Sequence, residues 1–254
     1  MLSNDVENET IRFACNGCGV CCKGRLIPLT LDETRHWLAR GHDVAVLLEA
    51  FDETTWPTEP QQFAHSAQRA ADVDSGSAQI KVIAVFTANA LGQCPNLGLD
   101  DRCGIYHDRP LVCRIYPMEI NPFISMDPKN KACPPQVWEA EEVIFTDRIV
   151  DPVLASQVQQ SRLADRGDAQ AKIEICESMG LKVAAWKGNA LAVYQPDRLM
   201  LANAIEAHDA GFAAQSGGTW KVRVDQSDLS SELRSSGIAV ETCVQQSDYI
   251  FHEL

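Results

Sequence analysis

Alternating apolar positions predict strands in several parts of the chain. The clearest strand covers residues 79–87, QIKVIAVFT, where β-branched residues recur with a period of two. The same pattern, with turn signals between the segments, predicts shorter strands at 25–30, 219–224 and 237–244 and a hairpin at 181–194. Strands are therefore expected in both halves of the chain.

Helical periodicity and capping residues predict helices between these strands. Thr30 and Glu33 form a capping box for a helix that runs to Arg40 and is closed by Gly41. Asp43 can cap a second helix, in which apolar residues share one face. The helix capped by Asp43 covers residues 44–51. A short helix is predicted after Asp108, which caps it, with Pro110 in its first turn. Longer helices are predicted at 152–164, 168–179 and 197–209. The fold class expected from these elements is α+β.

The length of the chain and the change in residue pattern along it suggest how the chain is divided into domains. With 254 residues it can form one large domain or two small ones. We expect a disordered leader at 1–11, a cysteine-rich metal-binding domain of short helices and strands at 12–137, and an α+β region at 138–254. That last region is either a separate domain or is wrapped onto the first. Residues 52–78 lack a sustained period and predict a long loop that contains some helix.

Charge and hydropathy exclude several functions. The net charge of −13 and the absence of Lys/Arg runs argue against nucleic-acid binding. The acidic, polar start is unlike a secretory signal, and no apolar run is long enough to cross a bilayer. A cytoplasmic protein is therefore expected, and in a reducing compartment clustered cysteines favour metal or redox chemistry over disulfides.

Ten cysteines are the dominant chemical feature. Eight of them are candidate metal ligands: Cys15, Cys18, Cys21, Cys22, Cys94, Cys103, Cys113 and Cys133. Cys176 lies on the apolar face of its predicted helix and is expected to be a core thiol. Cys243 lies on the more polar face of its predicted strand and is expected to be unliganded.

The spacing of the eight cysteines leaves the metal open. A C-x2-C-x2-C run with a remote Cys-Pro, here Cys94-Pro95 or Cys133-Pro134, is typical of bacterial iron–sulfur proteins. Zinc also takes four thiolates. Side chains of the adjacent Cys21 and Cys22 should diverge, so they could bind different metals or different irons of one cluster. The eight thiolates could therefore supply two four-coordinate sites, or four could bind one cluster while the rest line its pocket.

Basic and aromatic residues lie between the cysteines. Arg109 and Arg114 are candidate cofactor-binding residues, because a guanidinium can bind a carboxylate or phosphate through two hydrogen bonds. They could equally support the thiolates and nearby carbonyls. Tyr106 could line a cofactor or substrate pocket or pack over the metal site. No residue is assigned a catalytic role.

The cysteines and their neighbours resemble a known family. Cys15-x2-Cys18-x2-Cys21-Cys22, followed by Cys94-Pro, Cys103-x-Ile-Tyr, Arg109-Pro, Cys113-Arg and Tyr116-Pro, is similar to the CxxCxxCC (YkgJ-like) cysteine-cluster family, described as a zinc- or iron-chelating domain. The likeness covers about residues 12–135 and implies that the eight cysteines are the metal set. Cys133-Pro-Pro departs from the family's usual Cys-Pro-Gly, which makes Cys133 the least secure ligand.

Two classes of function follow. Flagellin lysine methylases carry a similar cluster, and that resemblance implies S-adenosylmethionine and an iron–sulfur cluster of the [4Fe-4S] type. One expectation is therefore an iron–sulfur or iron enzyme that modifies a protein or peptide. The alternative is an interaction module in which structural Zn²⁺ only holds the fold.

Overall fold

The computed structural model describes residues 10–56, 58–212, 218–241 and 248–253. Packing divides the chain into two compact units, each made of two separate stretches. We call Met1–Ile27 with Ala90–Leu163 the cysteine unit, and Pro28–Asn89 with Ala164–Leu254 the sheet unit. Neither unit coincides with the continuous ranges expected from the sequence, 12–137 and 138–254. Helices and a multi-stranded sheet are both present, which confirms the α+β fold class.

The described residues form the following elements. The strands are β1 (Ile11–Arg12), β2 (Lys23–Leu29), β3 (Val44–Phe51), β4 (Ala71–Ser75), β5 (Ala78–Gln93), β6 (Val143–Phe145), β7 (Val183–Trp186), β8 (Ala190–Tyr194), β9 (Lys221–Arg223) and β10 (Tyr249–Glu253). The α-helices are α1 (Leu31–Ala39), α2 (Pro60–Ala67), α3 (Leu111–Ile115), α4 (Pro152–Gly167), α5 (Ala169–Ser178), α6 (Arg198–Asp209) and α7 (Ser227–Ser235). Strands β2 and β5 and helix α4 each continue across a unit boundary.

Within the described ranges, eight strands form one mixed sheet. Its main path is β10-β8-β3-β5-β2, with β4 paired to β5, and β7 paired to both β3 and β9. The long strand β5 confirms and extends the strand predicted at 79–87. It pairs with β3 from Val44 opposite Ala88 to Phe51 opposite Lys81.

The helix predicted at 44–51 is wrong, because this segment is the central strand β3. Seven of its eight residues are buried, so both faces of the strand are covered. A strand buried on both faces is apolar at nearly every position and loses the alternation that distinguishes it from a helix. Part of the loop predicted at 52–78 is also regular structure, since it contains α2 and β4.

The hairpin predicted at 181–194 has the right strands and the wrong pairing. Strands β7 and β8 flank a turn in which the Asn189 amide donates to the Trp186 carbonyl, 3.1 Å. Both strands pair with β3 at successive positions, β8 antiparallel and β7 parallel. The sequence indicated where the chain turns, but a long-range partner determines the pairing.

The capping box predicted for α1 is present, and several other helices begin close to their predicted starts. The Glu33 amide donates to Thr30 Oγ1 (3.1 Å) and the Thr30 amide to Glu33 Oε2 (2.9 Å), which confirms the capping box of α1. Gly41 follows the helix with a φ of +83°. Helices α4, α5 and α6 begin within about a residue of their predicted starts. Helix α3 differs, because it begins after Pro110 with no side-chain cap, and Asp108 lies in the preceding 3-10 turn.

The cysteine unit has a hydrophobic core of its own. Its buried members are Ile11, Phe13, Ile115, Met118, Val137, Ile144, Leu154 and Val158. Ile11, placed in the leader by the sequence, lies in β1, which pairs with β6. Three of its members, Phe13, Ile115 and Val137, lie within four residues of Cys15, Cys113 and Cys133.

Two expectations fall partly outside the described residues. Most of the predicted leader, 1–9, and Cys243 belong to ranges that the structure does not describe. In the strand predicted at 237–244, Val240 forms a parallel bridge with Val222, and the segment after Glu241 is likewise not described.

Candidate metal centre

All eight candidate ligands belong to the cysteine unit. They come from four segments: the loop at 15–22, the hairpin at 94–103, helix α3 and the segment that precedes Val137. Cys176 belongs to α5 of the sheet unit and is fully buried, as expected of a core thiol. The fold therefore collects the candidate ligands in one unit although they span 119 positions of the sequence, from Cys15 to Cys133. Consecutive Cα atoms are about 3.8 Å apart, so these residues would be far from one another in an extended chain.

The loop at 15–22 bends through two glycines and a 3-10 turn. Gly17 and Gly19 have φ values of +72° and +69°, and residues Val20–Cys22 form the turn. Gly19 also makes a close approach, because a Cβ built on it would lie 2.5 Å from the Asp101 carbonyl oxygen. Glycine is thus required at position 19 both by conformation and by space.

Both ends of this loop are fixed by backbone hydrogen bonds, each to a different segment. Near its start, the Ala14 amide donates to the Val137 carbonyl, 3.0 Å. At its end, the Cys94 amide donates to the Cys22 carbonyl, 2.8 Å. The first bond brings Cys15 towards the Cys133 segment, and the second brings Cys22 towards the hairpin.

The hairpin holds Cys94 and Cys103 at its two ends. Leu97 forms an antiparallel bridge with Cys103, and its amide donates to the Cys94 carbonyl at 3.0 Å. Lys23 Nζ lies 2.6 Å from a carboxylate oxygen of Asp101, so this turn is also tied to the chain just after Cys22. The pair is exposed and contributes at most about 1 kcal/mol.

Helix α3 presents Cys113, and two arginines brace the loop before it. Ile115 is fully buried in the core, which fixes the short helix. Arg114 Nε donates to the Arg109 carbonyl (2.6 Å), and Arg109 Nε donates to the Tyr106 carbonyl (2.9 Å). The Arg109 guanidinium also lies 3.7 Å from the centre of the exposed Tyr106 ring. Arg109 therefore contacts both of the other candidate cofactor-binding residues, Arg114 and Tyr106.

Cys133 packs against the core and contacts Tyr116. Its Sγ lies 3.6 Å from the Tyr116 hydroxyl, to which it donates. Arg25 and Lys131 lie 5.1 and 5.7 Å from the centre of the same ring. Burial, followed by the Cys133 contact, raises the pKa of Tyr116 above its usual value. This phenol therefore stays protonated and can serve as a hydrogen-bond donor to a sulfur.

The part of the chain that holds the candidate ligands matches a known protein family. Residues 14–134, slightly less than half of the chain, match the model of the CxxCxxCC family, whose description reads "Putative zinc- or iron-chelating domain". We refer to this matched range as the CxxCxxCC domain. The resemblance read from the cysteine motifs is confirmed, and the match supports binding of zinc or iron. No curated protein and no solved structure matches the chain.

The thiols of the CxxCxxCC domain differ in their affinity for protons. A hydrogen bond from Cys22 lowers the pKa of Cys21 to about 6, against the effect of burial and with help from Arg25. The pKa of Cys22 is raised, chiefly because it donates that bond. Burial raises the pKa of Cys113 to about 12, and burial also raises the pKa values of Cys94 and Cys133. Without a metal, the domain thus favours one thiolate beside several thiols, and a bound cation would favour ionising the rest.

Within the described residues, no group of three or more His, Cys, Asp and Glu side chains is arranged to hold a metal ion. The donor set itself fits soft metals, because every candidate ligand is a thiol. Ligation of a metal therefore requires these side chains to turn towards a common point.

Sequence reasoning missed two contacts that shape this centre. The Gly19–Asp101 approach and the Tyr116–Cys133 contact join residues far apart in the sequence. The only sequence signals for them are the Gly in the cysteine run and the Tyr-Pro of the family motif. None of the helices in the described part of the chain has the length and apolar character needed to cross a membrane.

Proposed function

We propose that the CxxCxxCC domain binds an iron–sulfur cluster of the [4Fe-4S] type through its thiolates. The observation that carries this proposal is the approach of the Cys133-Pro134 segment to the C-x2-C-x2-C run. The Ala14–Val137 hydrogen bond brings the two together, and Cys133 interacts electrostatically with Cys15, Cys18 and Cys21. A run of three cysteines completed by a remote Cys-Pro is the ligand arrangement of bacterial-type clusters.

Structural zinc is the competing function, and the core of the cysteine unit argues against it. Zinc folds small domains that cannot build enough apolar core by themselves. Here eight buried apolar side chains already pack together in the cysteine unit, without the cysteines as their main members. A metal that is not needed to supply the core is free to have a chemical role.

The proposal extends to catalysis on a protein or peptide. Cys15 and Tyr106 are exposed, so a large substrate could reach this part of the domain. Arg25 and Arg109 act on the Cys21 thiol, and they would also attract an anionic group. S-adenosylmethionine, suggested by the likeness to flagellin lysine methylases, is the cosubstrate to test first. Nine described cysteines are free thiols, and we place the protein in the reducing cytoplasm.

The test is the composition of protein purified without oxygen. We expect about four iron and about four acid-labile sulfide per chain, with a broad visible absorption that bleaches on reduction. Val20→Ala is the control for substitutions in the loop at 15–22, because Val20 lies in that loop, is exposed and has a side chain without a ligating atom. Zinc without sulfide or colour would contradict the proposal. If the cluster is present, binding of S-adenosylmethionine and methyl transfer to peptides can then be measured.

A further inference from the structure

The two ends of the loop at 15–22 are attached to two different segments of the cysteine unit. Its first end is bonded to Val137, four residues after Cys133, and its second end is bonded to Cys94. Cysteines near the first end are therefore held towards Cys133. The cysteine at the second end is held towards the hairpin that carries Cys94 and Cys103.

Cys113 is tied to the hairpin through the segment that joins them. Arg114 Nε donates to the Arg109 carbonyl, 2.6 Å, and Arg109 Nε donates to the Tyr106 carbonyl, 2.9 Å, so helix α3 is bonded to the residues that follow Cys103. Together with the hydrogen bond between Cys94 and Cys22, this gives a set of four thiols that contains no cysteine from the first end of the loop.

Cys21 adjoins Cys22 in the chain, and the number of thiols in each set assigns it. The hairpin set is already complete with four thiols, whereas the set around Cys133 has three. Cys21 is also the third member of the C-x2-C-x2-C run, whose regular spacing suits one cluster.

We propose that the eight thiolates form two separate metal sites, Cys15, Cys18, Cys21 and Cys133 in one and Cys22, Cys94, Cys103 and Cys113 in the other. This inference rests on the proposed function, since it assigns the iron–sulfur cluster to the first set. The second set is offered by the end of a turn, a short hairpin and a short helix, and four thiolates suit a tetrahedral thiophilic ion such as Zn²⁺. The two sites would meet at the Cys21–Cys22 peptide.

Serine variants from each set separate the two sites. The pairs are Cys18→Ser with Cys133→Ser, and Cys103→Ser with Cys113→Ser, with Val20→Ala as the control. Iron, sulfide and zinc per chain are measured on protein purified without oxygen from medium that contains iron and zinc. Circular dichroism is used to select variants with the native helix and strand content.

Two sites give a reciprocal result. We expect Cys103→Ser and Cys113→Ser to lose the zinc and keep iron and sulfide. We expect Cys18→Ser and Cys133→Ser to lose iron and sulfide and keep the zinc. If instead variants from both sets lose all metal, or the unsubstituted protein holds a single metal centre, the division is wrong.

The outcome also separates this inference from the proposed function. If no sulfide is found but the protein holds about two zinc ions, each variant should retain about one. In that case the division stands and the iron–sulfur assignment fails. Titration of metal-depleted protein with Co²⁺ provides a measurement without variants, since two tetrathiolate sites saturate at about two equivalents and one site at about one.

Discussion

Substituting Gly19 with alanine tests the geometry of the cysteine loop most directly. Gly19 has a φ of +69°, and a Cβ at this position would lie 2.5 Å from the Asp101 carbonyl oxygen and 3.1 Å from Leu97 Cδ1. Gly17 lies two residues earlier with a φ of +72°, and a Cβ there would meet nothing within 4 Å. The two glycines therefore share the strained backbone and differ only in the close approach.

The two variants should lose different amounts of unfolding free energy. An alanine held at positive φ costs about 1–2 kcal/mol, which is the whole expected loss for Gly17→Ala. Gly19→Ala carries the same strain and must also push the loop away from the hairpin, which adds about 1–3 kcal/mol. The expected loss for Gly19→Ala is therefore about 2–5 kcal/mol.

The assay is urea unfolding of both variants under reducing, oxygen-free conditions, followed by circular dichroism. We also expect Gly19→Ala, but not Gly17→Ala, to release its metal faster to a chelator, because the hairpin that carries Cys94 and Cys103 would be displaced. Equal losses of unfolding free energy in the two variants would show that the close approach to Asp101 does not exist.

Three further substitutions test other contacts. Ile115→Ala should cost about 2–5 kcal/mol of unfolding free energy and weaken metal binding, because this buried side chain anchors the helix of Cys113, whereas Ile115→Val should cost only about 0.5–1.5 kcal/mol. Tyr116→Phe removes the hydroxyl at 3.6 Å from Cys133 Sγ and should lower metal affinity about 10–100-fold in chelator competition; unchanged affinity would exclude this role. Burial lowers the pKa of Lys172 in the folded protein. Below pH 10.5 the unfolded chain therefore binds more protons at this residue than the folded chain does. The unfolding free energy of the wild type should accordingly rise, relative to that of Lys172→Met, as the pH increases from 7 towards 10. A pH-independent difference in urea unfolding would contradict this account of Lys172.

Features set by neighbouring residues could be predicted from the sequence. The capping box of Thr30 and Glu33 is satisfied within four residues, and the burial of Cys176 follows from the helical period around it. The CxxCxxCC domain was equally visible, because its motifs consist of short, fixed spacings. In each case the information needed lies within a few turns of chain.

Features that depend on a distant partner could not be predicted in this way. Strand β3 lost its alternation because it is buried on both faces, and none of the strands that pair with it adjoins it in sequence. The discontinuous units have the same origin, since the chain leaves the cysteine unit after Ile27 and re-enters it at Ala90. Spacing identified the candidate ligands, but only the hydrogen bonds of Ala14 and Cys94 suggest how they are grouped.

The adjacent cysteines explain why such a short loop could serve two sites. A chain that must contribute thiolates to neighbouring metals can do so with the least conformational cost if the last ligand of one site and the first of the other share a peptide bond. The 3-10 turn at Val20–Cys22 fixes both residues, the Cys94 amide holds the carbonyl of Cys22, and Gly19 lets the hairpin approach from the same direction. Because both sites would share this turn, binding at the first would further restrain the backbone that the second requires. Metal loading should therefore be cooperative, and cooperative loading would be lost if the glycine that admits the hairpin were replaced.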